Sequence, residues 1–430
     1  MEDEEDARTE VDADVDLPQA AYSSESDDDD DFVEFEEDPE EAADTTAEQL
    51  LLQGRDMQGI PWERLQFSRQ RYRETRLKQY VNYTNMREAV ERAQGQLNKD
   101  AKKPTQDEHY YSFHRNARAV RSTIVHFQLR NLVWATSKHD IYVMHENCIN
   151  HWSEITRKTT KVLDLSGETQ SARAPGLGRV QISTLCVRHH LVAAGGFQGE
   201  LVVKNLRNKA SAVACSCQVT HDVNGITNAI EIFDHAGDVR LMTCNNDSMV
   251  RIFDGHTFQC LNRLELPWAV NYASACPTTT QLLAVVGDDP EACLVDARNS
   301  RVAAHLRGHL DYSFAAAWHP DGHLLATGNQ DVTTRLWDVR YPGRSLAVLK
   351  GCMGAIRSLR FSPDGRFLCM TEPADFVHVF DVHSNFDKSQ LVDIFGEISG
   401  VAFSPQSDRL YVGVADLTYS SLLQFDGEEG

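Results

Sequence analysis

Residues 106–430 predict an all-β fold, a seven-bladed β-propeller, and three observations carry that expectation. Beyond residue 110 the chain reads as apolar runs of five to eight residues, rich in Val, Ile, Leu and Phe, cut by Gly, Asn, Asp and Pro turns. An apolar residue followed by Asp recurs at Phe253-Asp254, Val295-Asp296, Trp337-Asp338, Phe380-Asp381 and Phe425-Asp426, in steps of 42, 42, 43 and 45 residues. That is the period of a four-stranded blade, about 40–45 residues. Two fainter units, LVWATSKHDIYVMHEN from Leu132 and LVAAGGFQGELVVKNL from Leu191, bring the number to seven.

Three segments precede or interrupt the repeats. Residues 1–53 form an acidic tail. Residues 1–50 hold 23 Asp and Glu against the single basic residue Arg8, whereas the rest of the chain carries 41 acidic and 41 basic residues, so the net charge of -22 resides in the tail. Dense like charge with few apolar groups cannot offset chain entropy, and disorder is expected there. Phe32, Val33 and Phe35 stand among its carboxylates in the manner of a short docking motif. Ser24 and Ser26 each precede an Asp by three residues, the pattern favoured by acidophilic kinases.

Residues 54–105 form a basic, aromatic segment and linker. Within 62–78 there are six Arg or Lys and two Glu, and Gly and Pro are missing after Pro61. A helix starting near Pro61 is expected, because proline is tolerated in a first helical turn. Trp62, Leu65, Phe67, Tyr72 and Leu77 make no clean stripe, so the segment should lie along another surface. A polar insertion at about 156–178 should be a surface loop.

The last unit, GVAFSPQSDRLYVGVADLTYSSLLQFD, reaches the C-terminus without a fourth strand. The natural donor is HYYSFHRNARAV, just before the first unit, because closing the ring removes exposed sheet edges.

Several function classes find no support. The N-terminus MEDEEDARTE has the wrong charge for a signal peptide and no apolar run approaches a membrane span, so a cytoplasmic or nuclear protein is expected. The ten cysteines show no metal-binding or disulfide spacing and should be reduced thiols. The acidic tail and neutral body disfavour direct nucleic-acid binding. No HExxH, Walker or GxSxG motif occurs, and neither a cofactor nor a metal is expected. GGFQG at 195–199 is a turn between strands, since no helix follows it.

The unit GHLDYSFAAAWHPDGHLLATGNQDVTTRLWDVR, residues 308–340, resembles the WD-repeat family. The resemblance implies that His309, Thr327, Asp331 and Trp337 form a structural hydrogen-bond tetrad. The same hydroxyl, imidazole and carboxylate suggest a nucleophilic triad. An indole N-H on the hydroxyl opposes nucleophilicity, however, and the chain is expected to be no enzyme. Neighbouring units place Phe253, Phe380 and Phe425 at the Trp position. The stretch GIPWERLQFSRQRYRETRLKQY before a propeller also resembles an uncharacterised family of plant and fungal WD-repeat proteins, over most of residues 54–430.

Three roles remain open. A WD-repeat propeller implies a non-catalytic scaffold for other proteins. Trp337-Asp338-Val339-Arg340 looks like the WDxR box that docks WD-repeat proteins on the propeller adaptor of cullin-RING ubiquitin ligases, with Arg340 as the contact residue. Asp296-Ala297-Arg298 repeats it without the Trp. Alternatively, the acidic tail suits a chaperone of histones or other basic proteins, through long-range attraction. Turn alignment places Trp268, Asp311, Tyr312, Phe314, Met353 and Arg357 near the starts of inner strands, where a partner face at the channel mouth is expected.

Overall fold

Seven antiparallel blades of four strands follow one another around a ring. The computed structural model describes residues 43–167, 176–207 and 213–428. Blade 1 holds Val133–Ala135, Asp140–His145, Cys148–Ser153 and Lys158–Asp164; blade 2 holds Ile182–Arg188, Leu191–Gly196, Glu200–Asn205 and Val213–Gln218. Blade 3 comprises Thr227–His235, Asp238–Asn245, Met249–Asp254 and Cys260–Glu265, and blade 4 comprises Val270–Ala275, Leu282–Gly287, Asp289–Asp296 and Arg301–Leu306. Blade 5 is Ser313–Trp318, Leu324–Asn329, Thr333–Asp338 and Ala347–Lys350.

Blades 6 and 7 share one long strand, Ser389–Phe403, which is the outer strand of the first and the inner strand of the second. Blade 6 begins with Ser358–Phe361, Phe367–Thr371 and Ala374–Asp381. Blade 7 continues with Arg409–Ala415 and Ser421–Gly427 and is completed by Tyr111–Ala117. The expected donor thus closes the ring, with Tyr111 opposite Gly427 and Ala117 opposite Leu422.

Register explains the repeat. Trp337 pairs with Leu325, Phe253 with Leu241, Val295 with Leu283, Phe380 with Leu368 and Phe425 with Leu410. Trp152 opposite Ile141 and Lys204 opposite Val192 occupy the same position in blades 1 and 2. Inner strands such as Ser313–Trp318 are buried along their whole length, because neighbouring blades cover both faces.

Three boundaries differ from the sequence expectation. The stretch 45–53, read as tail, is ordered: Thr45–Thr46 pairs with Asn116 and Arg115, and Thr46 caps helix α1 (Ala47–Gln53) through a reciprocal pair with Gln49. Residues 1–42, with Phe32, Val33, Phe35, Ser24 and Ser26, lie outside the described residues. Helix α2 (Arg69–Gln79) starts eight residues after Pro61, capped by Ser68, which accepts from the Arg71 N-H at 3.3 Å. Residues 62–67 are held in turns instead, because Trp62 packs on Tyr72 and Phe395 at 5.8 and 5.1 Å and donates to Asp56 at 2.9 Å. The insertion at 156–178 contains the fourth strand of blade 1, and residues 168–175 lie outside the described part.

GGFQG is a turn between two strands of blade 2, with Gly199 at φ +74°, a conformation that favours glycine. All ten cysteines are free thiols, most of them buried. Among the described residues no helix is long and apolar enough to cross a membrane.

Candidate interaction faces

Blade 5 contains the one complete tetrad among the described residues. Trp337 Nε1 donates to Thr327 Oγ1 at 2.8 Å, Thr327 Oγ1 lies 2.9 Å from His309 Nε2, and His309 Nδ1 lies 3.1 Å from Asp331 Oδ2. Asp331 also accepts the N-H groups of Leu310 and Thr333 and the Thr333 hydroxyl. Burial raises the Asp331 carboxyl, but the His309 ring and these donors outweigh it and hold the carboxyl below its usual range. Every polar group has a partner, so the network pins strands two and three to the loop before strand one. Gly308, at φ +147°, lies where a Cβ would stand 2.8 Å from the Arg335 guanidinium. The tetrad is fully enclosed, which gives a substrate no route to the Thr327 hydroxyl.

Blade 6 uses a different lock, which sequence reasoning missed. Glu372, fully buried, accepts the N-H groups of Cys352, Met353 and Gly354 at 2.6 Å each and binds His378 Nε2 at 2.8 Å. Burial opposes a charge on His378, but the Cys352 thiol and Glu372 offset it and push the imidazole up to about 9. Cys352, Glu372 and His378 are close enough to share a metal ion. The three backbone donors and the His378 ring together occupy the carboxylate's acceptor sites, so the group acts as a clamp.

In an up-and-down blade the first and third strands run the same way, so each propeller end gathers either first-strand starts or third-strand ends. The six residues expected at the mouth do precede or begin first strands. Trp268, Tyr312 and Met353 are half-buried there. Asp311, Phe314 and Arg357 are buried, contrary to a partner-facing role. Arg357 stacks on Phe314 at 4.3 Å inside the channel.

The chain's own residues 58–86 lie over the blade 5 and blade 6 part of that end, which is why Asp311 is unavailable. Arg73 of α2 meets Asp375 and Asp393 at 2.5 Å each and lies 4.2 Å over the Phe395 ring. Arg76 forks onto both Asp375 oxygens at 2.6 and 2.8 Å, and Arg69 reaches Asp393 at 2.9 Å. Gln58 exchanges two hydrogen bonds with the Phe395 backbone at 2.6 Å. Further on, Asn82 accepts the Ala355 N-H and donates to the Gln330 carbonyl, and Asp311 accepts the N-H groups of Asn85 and Met86 at 2.9 and 3.2 Å. Helix α3 (Arg87–Asp100) then leads down the outer edge, where Ala101 bridges Val348 and Asp107 bridges Gln390 before the closing strand. The basic run at 62–78 therefore lies along the propeller, as its lack of a stripe suggests.

Arg340 and Arg298 sit at the opposite end, past third strands. Asp338 holds Arg340 through Nε at 2.9 Å and Nη2 at 2.7 Å; Asp296 holds Arg298 at 3.0 and 2.6 Å. The two side chains are 58% and 66% exposed, which leaves the outer edge of each guanidinium to solvent. The same end carries an open groove lined by Trp134, Arg188, His189, Lys204, Arg360 and Phe403.

A model described as "WD domain, G-beta repeat" matches residues 300–338, the unit that holds the tetrad. The chain is a WD-repeat β-propeller protein. A second model, described as "Uncharacterised protein domain (DUF2415)", matches residues 354–393 of this WD-repeat protein. Relatives include "Pre-mRNA-processing factor 19 homolog 2" of Arabidopsis thaliana, 27% identical over 47% of this chain and 39% of that protein. "Small ribosomal subunit protein RACK1y" of Oryza sativa subsp. japonica is 34% identical over 28% of this chain and 37% of its own length. The WD-repeat protein thus spans well under half of these relatives. A chain in the "Crystal Structure of Mitotic Checkpoint Complex" superposes with a TM-score of 0.59 at 16% identity, over 76% of this chain and 96% of that one, and so shares the fold. WD-repeat proteins act as scaffolds for other proteins.

Proposed function

We propose that this WD-repeat protein is a non-catalytic scaffold that binds its partners at the end of the propeller where the third strands finish. The observation that carries the reading is the docking of residues 58–86 on blades 5 and 6 at the other end, where they occupy Asp311, Asp375 and Asp393. The free end offers two exposed arginines and the groove at Trp134 and Arg188. His189 and His190 form the two-residue hairpin turn at its edge, with φ of +50° and +61° as that turn geometry requires.

One partner fits best. Arg340 and Arg298, on adjacent blades and each held by the Asp two residues before it, present guanidinium edges preorganised for carbonyl or carboxylate acceptors, which supports docking on a cullin-RING ligase adaptor. The test is affinity purification of the full chain beside Arg298→Ala/Arg340→Ala and Trp268→Ala/Tyr312→Ala variants. The reading expects the first variant to lose the adaptor and the second to keep it; the reverse pattern overturns it. The basic-protein chaperone depends on residues outside the described part and gains no support from the propeller.

A further inference from the structure

The first strands converge on the propeller axis. Just inside the covered mouth they enclose a small cavity lined by Arg130, Asn228, Asn271, Phe314, Arg357 and Arg360, among others. Three guanidinium groups line it and no carboxylate does. Arg357 is 5% exposed, and its Nε and Nη1 lack any hydrogen-bond partner. Its guanidinium stacks on the Phe314 ring, which disperses charge without neutralising it.

Arg130 is 3% exposed, and its Nε also lacks a partner. Its Nη1 donates to the His126 carbonyl at 2.9 Å, and its Nη2 lies 3.5 Å from Glu397, a half-exposed carboxylate. Arg360 is occupied by Tyr272 and Asn131. Asp311, which is also buried at the mouth, is committed to the N-H groups of Asn85, Met86 and Tyr312.

A buried guanidinium without a counter-charge is strongly unfavourable, and arginine keeps its proton at neutral pH. Burial, and then Arg130, pull Arg357 down to about 9, still above neutrality. Asp311 acts on Arg357 only at a distance, and an anion in direct contact with its free Nε and Nη1 would offset the cost of burial. The free space admits a single occupant of water size, which excludes an organic anion and fits a monatomic one.

We propose that the axial cavity is a halide site in which a chloride ion sits between Arg357 and Arg130. Arg130 belongs to the connection 118–132 that follows the closing strand, and Arg357 belongs to the entry of blade 6. The ion joins the two and stabilises ring closure. It also explains how the channel keeps Arg357, whose Nε and Nη1 no protein group satisfies.

The experiment is thermal unfolding of the full chain in sodium chloride and in sodium gluconate at equal ionic strength, because gluconate is too large for the cavity. An ion bound only by the folded state should raise Tm with the logarithm of chloride concentration, by about 2 °C for each tenfold increase. Bromide should substitute for chloride. Arg357→Met should lose the chloride-specific increment, whereas Arg340→Ala at the opposite end should retain it. Equal Tm in the two salts, or an increment that survives in Arg357→Met, overturns the proposal. If Arg357→Met does not fold, chloride-35 line broadening on the wild-type protein decides: broadening reversed by bromide supports the site, and its absence shows that water fills the cavity and overturns it.

Discussion

Arg73 of α2 and Asp375 of blade 6 meet at 2.5 Å with the carboxylate fully shielded from solvent. Asp375 also takes both donors of Arg76 and the Gly396 N-H, so one buried residue anchors the covering segment to the propeller. Removing one member of such a set leaves the others buried and uncompensated, which typically costs about 3–5 kcal/mol. Asp375→Asn keeps the shape and tolerates the local φ of +72°. It should lower stability by about 3 kcal/mol in urea and open residues 58–86 to protease. A variant as stable and resistant as wild type would show that α2 is held by other contacts.

Trp337→Ala should destabilise by about 3–5 kcal/mol, through the cavity it creates and the orphaned Thr327 hydroxyl. Phe253 fills the equivalent position without a tetrad, so Phe253→Ala should cost about 1 kcal/mol less or better. Chemical denaturation separates the two, and equal losses would mean that His309 and Thr327 do not act together with Trp337.

The blade 6 clamp makes stability depend on pH in a defined direction. His378 is pushed up from 6.5 to about 9 in the folded protein. Its folded form holds the proton more tightly than the unfolded chain, so its contribution is complete below about pH 6.5 and is lost as pH rises through 9. The stability difference between wild type and His378→Gln should shrink between pH 6.5 and 9 in denaturant titrations. A difference that stays constant or grows across that window would contradict the charged clamp.

Arg340→Ala should leave stability within about 0.5 kcal/mol of wild type, because its pair with Asp338 is solvent-exposed. Loss of adaptor binding by this variant would then be an interface effect. A large drop in Tm would instead assign Arg340 to the fold.

Much of the propeller was legible because its repeat is a register fact: the apolar-Asp pairs at 253, 295, 337, 380 and 425 each close the third strand against a Leu of the second. Blades 1 and 2 were faint for the same reason. Ser153 and Asn205 stand where Asp stands elsewhere, Lys204 replaces the aromatic residue, and the fourth strand of blade 1 lies in a polar stretch. The covering segment was harder to place. It docks by burying charge at Arg73, beneath Phe376 and Phe395, and no hydrophobic period marks such an interface. The mouth positions were correctly aligned, yet Asp311 proved buried because its partners, Asn85 and Met86, lie 226 and 225 residues away.

Hydrogen-deuterium exchange of the full chain tests most directly whether the protein's own segment closes the mouth. The Asn85 and Met86 amides, bonded to buried Asp311, should exchange as slowly as those of the blade strands, and should exchange fast in Asp311→Ala. Amides at 82–86 that exchange in the wild type at the rate of an open chain would contradict the account and return the mouth to the list of free binding surfaces.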